Sequence, residues 1–162
     1  MRSTGGNRMV IGSAVSTIDL PVEDVFQFVV VDFEKNYRRW SPEVQRIEVL
    51  TDGPLRVGSR ARQVRIDQGR RSDTSFRVVA LEAPHRVLFV ELSSKFEGEY
   101  TLIERDRRTQ LRFEFRLQRL ELYMRPFEKL IRMAIQEGSQ RTVRNIKQLA
   151  ERDATQRERG LG

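Results

Sequence analysis

The sequence predicts an α+β fold in which a sheet wraps around one long helix. A short helical segment that opens at Pro21 is followed by a series of strand-like segments, and one long amphipathic helix covers residues 123–152. Alternating apolar and polar residues are typical of strands with one buried face, and a single apolar stripe is typical of a helix packed on a sheet. A curved sheet that closes on one helix leaves space between the two, so this order of elements predicts an apolar ligand cavity.

Length and composition limit the classes of protein to which this chain can belong. The 162 residues contain no cysteine and one histidine. They fit one domain, which we place at residues 10–153, with flexible tails at residues 1–9 and 154–162. The composition excludes a disulfide scaffold and disfavours the common zinc sites, so we expect no metal and no cofactor.

Charge and hydropathy bear on location. The formal net charge is +7, and the basic residues are mostly arginine. Residues 1–9 lack the apolar run of a secretory signal, and no stretch approaches the roughly 20 apolar residues of a membrane span. We therefore expect a cytoplasmic protein without a membrane span, and the oligomeric state stays open between monomer and dimer.

The first elements are a strand and two short helices. Residues 9–20 mix aliphatic side chains with Ser and Thr and predict the first strand, which ends at Pro21. Pro21 suits a first helical position, and Glu23 and Asp24 follow where the helix dipole favours acids. A second short helix is predicted over residues 33–39, before Pro42.

Six further strands are predicted at residues 44–50, 57–66, 74–81, 86–92, 96–102 and 111–117. Turn-forming residues separate them. The last pair shows the clearest pattern, because Leu111, Phe113 and Phe115 alternate with Arg112 and Glu114. One face of this hairpin is therefore predicted to be buried and the other exposed to solvent.

The final helix carries one apolar stripe. Its members are Phe127, Leu130, Ile131, Ala134, Ile135, Gly138, Thr142, Ile146 and Leu149. Gly138 lowers helix stability by about 1 kcal/mol relative to alanine, which indicates either a close approach to a strand or ligand, or a plain packing glycine. Beyond Asp153 the chain is polar without periodicity, and we expect it to fray.

Several short motifs carry a resemblance to a known family. They are Pro21-Val22-Glu23-Asp24-Val25-Phe26, Trp40-Ser41-Pro42, Thr51-Asp52-Gly53-Pro54, Val57-Gly58-Ser59 and Glu82-Ala83-Pro84, followed by the closing helix. Over residues 10–151 the chain resembles the START-like (SRPBCC) superfamily, which includes polyketide cyclases and dehydrases and lipid-transport proteins. The resemblance implies a helix-grip fold: a seven-stranded antiparallel sheet around the C-terminal helix, with two short helices after the first strand. It also implies binding of an apolar ligand such as a lipid, sterol, hormone or polyketide, whereas a minority of members are enzymes.

Strand parity and the helix stripe give the candidate ligand-binding residues. These are Phe26, Trp40, Tyr100, Phe113, Phe115, Phe127, Ile131 and Ile135. Each of them could instead fill the core. Trp40 is the strongest candidate, because the family places this position at the cavity mouth, and its alternative role is to anchor the two small helices.

Catalytic residues are harder to assign, and we predict none. His85 lies in a turn between two strands, where an exposed histidine is the simpler interpretation. Asp73, Arg77, Glu91 and Tyr100 could present polar groups to a cavity, and an inward Arg77 or Glu91 would orient a ligand carboxylate or hydroxyl. An enzymatic alternative is a polyketide cyclase/dehydrase-like protein that shapes a reactive chain without a metal or nucleophile.

A second alternative is association with a polyanion, such as RNA, the ribosome or a membrane surface. Two arginine clusters suggest it: Arg60, Arg62, Arg65, Arg70 and Arg71, and then Arg105, Arg107 and Arg108. Proteins that bind single-stranded nucleic acid combine basic residues with exposed aromatic rings. Here the aromatic residues fall on the face predicted to be buried, so binding of a small apolar ligand is favoured over binding of nucleic acid.

Overall fold

Seven strands form one antiparallel sheet in the computed structural model, which describes residues 9–160. They are β1 Val10–Ile18, β2 Val44–Val49, β3 Arg60–Asp67, β4 Arg70–Glu82, β5 Arg86–Glu91, β6 Phe96–Arg105 and β7 Arg108–Leu117. The order across the sheet is β1-β7-β6-β5-β4-β3-β2. β1 therefore returns to pair with the last strand, and the helix-grip fold is confirmed. Apart from Met9, the tail predicted at residues 1–9 lies outside the described residues.

Two short helices follow β1, as predicted. α1 covers Val22–Phe26 and runs through a π-helical segment at Gln27–Val31, and α2 covers Phe33–Trp40. The carbonyl of Pro21 accepts hydrogen bonds from the backbone N–H groups of Asp24 and Val25, at 3.1 and 3.2 Å. Proline therefore opens the helix without the loss of a helical donor.

The C-terminal helix is longer than predicted. A 3-10 segment at Leu122–Phe127 leads into α3, Glu128–Gly160. Arg39 of α2 holds Asp153 at 2.8 Å, and Thr155 donates to the Glu151 carbonyl at 3.0 Å. Residues 154–159 contain neither proline nor glycine, so the prediction that residues beyond 153 fray is wrong over residues 154–160. Residues 161 and 162 of that predicted tail lie outside the described residues. No helix among the described residues has the length and apolar character needed to cross a membrane.

The long helix covers the exposed edge of β1. The side chain of Gln136 donates to the Ser13 carbonyl at 2.8 Å and accepts from the Ser13 N–H at 3.1 Å. Further along, Lys147 donates to the Thr17 carbonyl at 2.8 Å. Edge strands present unpaired backbone groups that need such cover, so these side chains fix α3 along the edge of the sheet.

The two halves of α3 are packed differently. The C-terminal half buries Val143, Ile146 and Ala150 in the core, whereas Leu130 in the N-terminal half is 64% exposed. Phe127, at the end of the preceding 3-10 segment, is 57% exposed. The apolar stripe predicted from spacing is therefore wrong at its N-terminal end, although Ile146 lies in the core as expected. Helical spacing shows which residues share a face but not how far that face lies from the sheet.

A glycine in β1 permits a close contact between helix and sheet. A Cβ atom at Gly12 would lie 2.7 Å from Ile135 Cγ2 and 2.9 Å from the Ile135 carbonyl oxygen. At Gly138, by contrast, a Cβ atom would meet nothing within 4 Å. The close approach to a strand that Gly138 suggested is therefore found at Gly12 instead.

We predict opposite effects for Gly12→Ala and Gly138→Ala. The new methyl group at residue 12 must push α3 away from β1, which should lower the free energy of unfolding by about 1–3 kcal/mol. At residue 138 the methyl group meets open space and improves helix propensity, which should raise stability by up to about 1 kcal/mol. Urea denaturation of both variants tests this, and equal effects would contradict it.

Candidate ligand-binding cavity

A cavity of about 410 Å³ lies between the inner face of the sheet and α3. Aromatic side chains form much of its wall, and they include Phe33, Trp40, Phe76, Phe89, Phe96, Tyr100, Phe113 and Phe115. Ala134, Ile135 and Gly138 line it from α3. Ser139, Arg141 and Thr142 continue this lining, and beyond them α3 fills the core with Val143 and Ile146.

The predicted ligand-binding residues divide into two groups. Trp40, Tyr100, Phe113, Phe115 and Ile135 line the cavity. Their contact with a ligand stays a prediction.

The other three predicted residues lie outside the cavity wall. Phe26 on α1 is packed in the core, Phe127 lies in the exposed 3-10 segment, and Ile131 is half-buried one turn before Ile135. Periodicity alone did not distinguish these positions from the cavity wall.

The aromatic wall is built around Phe33, which sequence reasoning did not select. Its ring stacks on Phe89 with centroids 5.0 Å apart and meets Phe76 and Tyr37 edge-on at 6.1 and 4.7 Å. Aromatic pairs at these separations attract one another beyond their area of burial. The wall is therefore fixed by contacts among its own members, without any need for a ligand to order it.

Trp40 lies at the end of α2, beside the cavity. It is 2% exposed and lies near Tyr100, with ring centroids 6.2 Å apart. Its backbone carbonyl accepts a hydrogen bond from the Asn145 side chain at 3.0 Å, which ties the end of α2 to α3. Trp40 thus anchors α2 and forms part of the cavity wall.

One end of the cavity, here called the polar end, is formed by Tyr37, Gln63, Arg65 and Asp67. The Tyr37 hydroxyl donates to Gln63 Oε1 at 3.0 Å and accepts from Arg65 Nη1 at 3.2 Å. Gln63 is 3% exposed. A buried glutamine satisfied by a tyrosine gives the apolar cavity one site that can orient an oxygen atom.

The sequence contained one usable signal for the polar end. In β3, Ala61, Gln63 and Arg65 have the same parity, and Ala61 and Gln63 are both buried. A glutamine in register with a buried alanine indicates a polar group on the inner face. Arg65 was instead assigned to a surface arginine cluster, and the structure corrects that assignment because its guanidinium reaches Tyr37.

The two tyrosine hydroxyl groups in the cavity, those of Tyr37 and Tyr100, stay protonated. Burial raises the pKa of Tyr37, although the neighbouring Arg65 acts in the opposite direction. Burial also raises the pKa of Tyr100, and a hydrogen bond from the Trp40 indole only partly offsets this. Both tyrosines therefore serve as neutral hydrogen-bonding groups at physiological pH.

The charged groups that line the cavity are paired. Arg65 contacts Asp67 through Nε and Nη2, each at 3.2 Å, and Arg141 lies 2.9 Å from Glu43. Burial alone would lower the pKa of Arg65, but Tyr37 and Asp67 outweigh it and raise that pKa above its ordinary value. The Arg65 guanidinium is therefore permanently charged, and its charge is balanced within the site.

The polar candidates for catalysis, apart from Tyr100, lie elsewhere. His85 is exposed, with Nδ1 3.1 Å from the Leu102 carbonyl oxygen, and Asp73 pairs with Arg62 at 2.6 Å. None of these residues lines the cavity.

The sequence left open whether Arg77 and Glu91 point toward the cavity, and both lie outside it. Arg77 is exposed, and Glu91 is buried at a strand end, where it accepts from the N–H groups of Ser93 and Lys95. Within residues 9–160, no three His, Asp or Glu side chains converge to hold a metal ion.

The surface arginine clusters are partly neutralised. Arg62 pairs with Asp73 at 2.6 Å, and Arg108 lies 3.4 Å from Asp19. Arg65 is withdrawn into the cavity. The clusters are therefore weaker as a continuous basic surface than the sequence suggests.

Comparison with known proteins identifies the family. Residues 9–151 match the family described as polyketide cyclase/dehydrase and lipid transport, and the chain belongs to it. This confirms the START-like resemblance. No curated protein sequence matches the chain.

Solved structures share the fold at low sequence identity. The ZhuI aromatase/cyclase from Streptomyces sp. R1128 is similar with a TM-score of 0.76 and 16% identity, covering 91% of this chain and 96% of that one. The di-domain aromatase/cyclase BexL from the BE-7585A biosynthetic pathway gives 0.72 and 18%, covering 91% of this chain and 52% of its own. SA2116 from Staphylococcus aureus, a protein of unknown function, gives 0.70 and 16%, covering 92% and 98%. At these identities the likeness establishes the fold alone.

We predict that Tyr37→Phe destabilises the protein through the polar end. Removal of the hydroxyl leaves the buried Gln63 without its donor, which should lower the free energy of unfolding by about 1–2 kcal/mol. Tyr123→Phe is the matched control, because Tyr123 is 70% exposed. Urea denaturation should separate the two variants, and indistinguishable midpoints would contradict the predicted hydrogen bond.

Proposed function

We propose that the protein binds or carries a small, largely apolar ligand in the cavity between the sheet and α3. The observation that carries the proposal is a space of about 410 Å³ whose lining is rich in aromatic side chains. Ligand sites typically measure about 300–1,000 Å³ and combine apolar walls with a few placed polar groups. Membership of a family described by lipid transport as well as by cyclisation supports the same conclusion.

Binding at such a site is driven by the burial of apolar ligand surface. Each Å² of apolar surface removed from water contributes roughly 25 cal/mol. The wall around Phe33 is already packed, with ring centroids 4.7 to 6.1 Å from Tyr37, Phe89 and Phe76. A ligand therefore need not order these side chains, which removes one usual loss on association. A lipid, a polyketide or a molecule of similar character would suit this wall.

A cyclase/dehydrase-like activity is the second candidate. Tyr37 and Tyr100 keep their protons, and donors of this type stabilise negative charge that develops on a carbonyl oxygen. Glu43 and Asp67 are each held by an arginine, so neither is a free general base. Such an enzyme would act mainly by holding a reactive chain in one folded shape.

The enzymatic candidate is tested with a linear poly-β-ketone thioester. If it is correct, the protein changes the ratio of cyclised products, measured by liquid chromatography and mass spectrometry, and Tyr37→Phe with Tyr100→Phe loses that effect. An unchanged ratio with a substrate that binds would leave carriage as the function.

Cytoplasmic location, oligomeric state and the low affinity for nucleic acid stay predictions.

We predict that Gly138→Phe blocks the cavity without unfolding the protein. Residue 138 lines the cavity, and a side chain there enters open space. The Kd for the neutral probe N-phenyl-1-naphthylamine, measured by fluorescence, should rise by at least about tenfold. Gln140→Phe is the matched control, because Gln140 is exposed on the same helix and does not line the cavity. A folded Gly138→Phe variant with unchanged affinity would contradict the proposed site.

A further inference from the structure

The charged residues around the polar end form closed pairs. Four of them line the cavity, namely Glu43, Arg65, Asp67 and Arg141. Arg65 engages Asp67 through two hydrogen bonds of 3.2 Å, and Arg141 engages Glu43 at 2.9 Å. Two positive and two negative groups leave no net charge for an ionic ligand to neutralise.

The uncharged groups at the same end offer hydrogen bonds. Gln63 and Tyr37 are joined at 3.0 Å, and the Gln63 amide lies 3.4 Å from the Thr74 hydroxyl, a contact at the limit of hydrogen bonding. The Tyr100 hydroxyl, which accepts a hydrogen bond from the Trp40 indole, adds a further hydrogen-bonding group to the same cavity. These groups suit an oxygen atom that needs a hydrogen bond but no counter-ion.

On the basis of the function proposed above, we propose that the cavity selects electrically neutral ligands that carry a carbonyl or hydroxyl oxygen, and that Asp67 enforces this selection by occupying Arg65. A buried carboxylate is tolerated only where a cation or several donors replace its water. The cation that could do so here already contacts Asp67 at two points, each at 3.2 Å, and two-point contacts add geometric specificity to an arginine–carboxylate pair. A ligand carboxylate would have to displace it.

The competing possibility is that Asp67 acts as a removable placeholder. Its side chain is 49% exposed, so it could turn toward water while a ligand carboxylate takes its place on Arg65. The two possibilities differ in which ligand wild-type protein prefers. They also differ in what removal of the Asp67 charge does to that preference.

The experiment compares two probes that have a similar shape but differ in charge. The methyl ketone 2-acetylnaphthalene is neutral, and 2-naphthoate carries a carboxylate at neutral pH on the same aromatic body. Naphthalene itself reports binding of the body alone. Kd values are measured by displacement of N-phenyl-1-naphthylamine from wild type, Asp67→Asn and Asp106→Asn. The last variant is the control, because Asp106 is exposed in the β6–β7 turn and its loss changes the net charge equally.

We expect wild type and Asp106→Asn to bind the ketone at least about tenfold more tightly than the carboxylate, which corresponds to about 1.4 kcal/mol. Asp67→Asn should tighten binding of 2-naphthoate by at least about tenfold and leave the ketone within about threefold. Thermal unfolding of each variant checks that it is folded, and Asp67→Ser replaces Asp67→Asn if the latter is not.

Each contrary outcome is distinct. Equal or tighter binding of 2-naphthoate by wild type overturns the selection for neutral ligands while the proposed cavity stands. An Asp67→Asn variant with the wild-type preference overturns the role of Asp67. If naphthalene, the ketone and the carboxylate all fail to displace the probe from wild type, the proposed cavity function is itself overturned, and the selection with it.

Discussion

The contact between α3 and the edge strand β1 determines the rest of this structure. Gly12 lets the backbone of Ile135 come within van der Waals distance, and Gln136 bonds both backbone groups of Ser13. From that contact onward α3 fills the core with Val143 and Ile146. The strands from β3 to β7 face residues 134–142 of α3 across a gap, and this gap is the cavity.

The cavity combines a rigid apolar wall with one balanced polar end. Phe33 joins α2 to the sheet through Phe76 and Phe89, so the wall belongs to the hydrophobic core and gains its rigidity from it. The polar end is supported in the same way, because Tyr37 from α2 meets Gln63 from β3. The residues that stabilise the fold are therefore also those that define what can bind.

Much of the fold could be predicted, because each strand has its own alternation and the family motifs imply how the strands are arranged. Trp40, Tyr100 and Phe113 were selected as cavity residues from strand parity and the motif, and they line it. Phe127 and Ile131 were not distinguishable from Ile135, since the distance between a helix face and a sheet depends on packing elsewhere. The polar end was missed because arginine is so common in β3 that Arg65 did not stand out from Arg60 and Arg62.

We expect a small apolar molecule to occupy the space between the aromatic wall and α3. The most direct measurement is a titration of isotopically labelled protein with 2-acetylnaphthalene, followed by nuclear magnetic resonance. We expect saturable shifts at residues that line the cavity, including Gln63, Tyr100 and Ile135, and at the Trp40 indole. Shifts confined to the exposed apolar residues Leu130 and Met133, or no shifts at all, would contradict it.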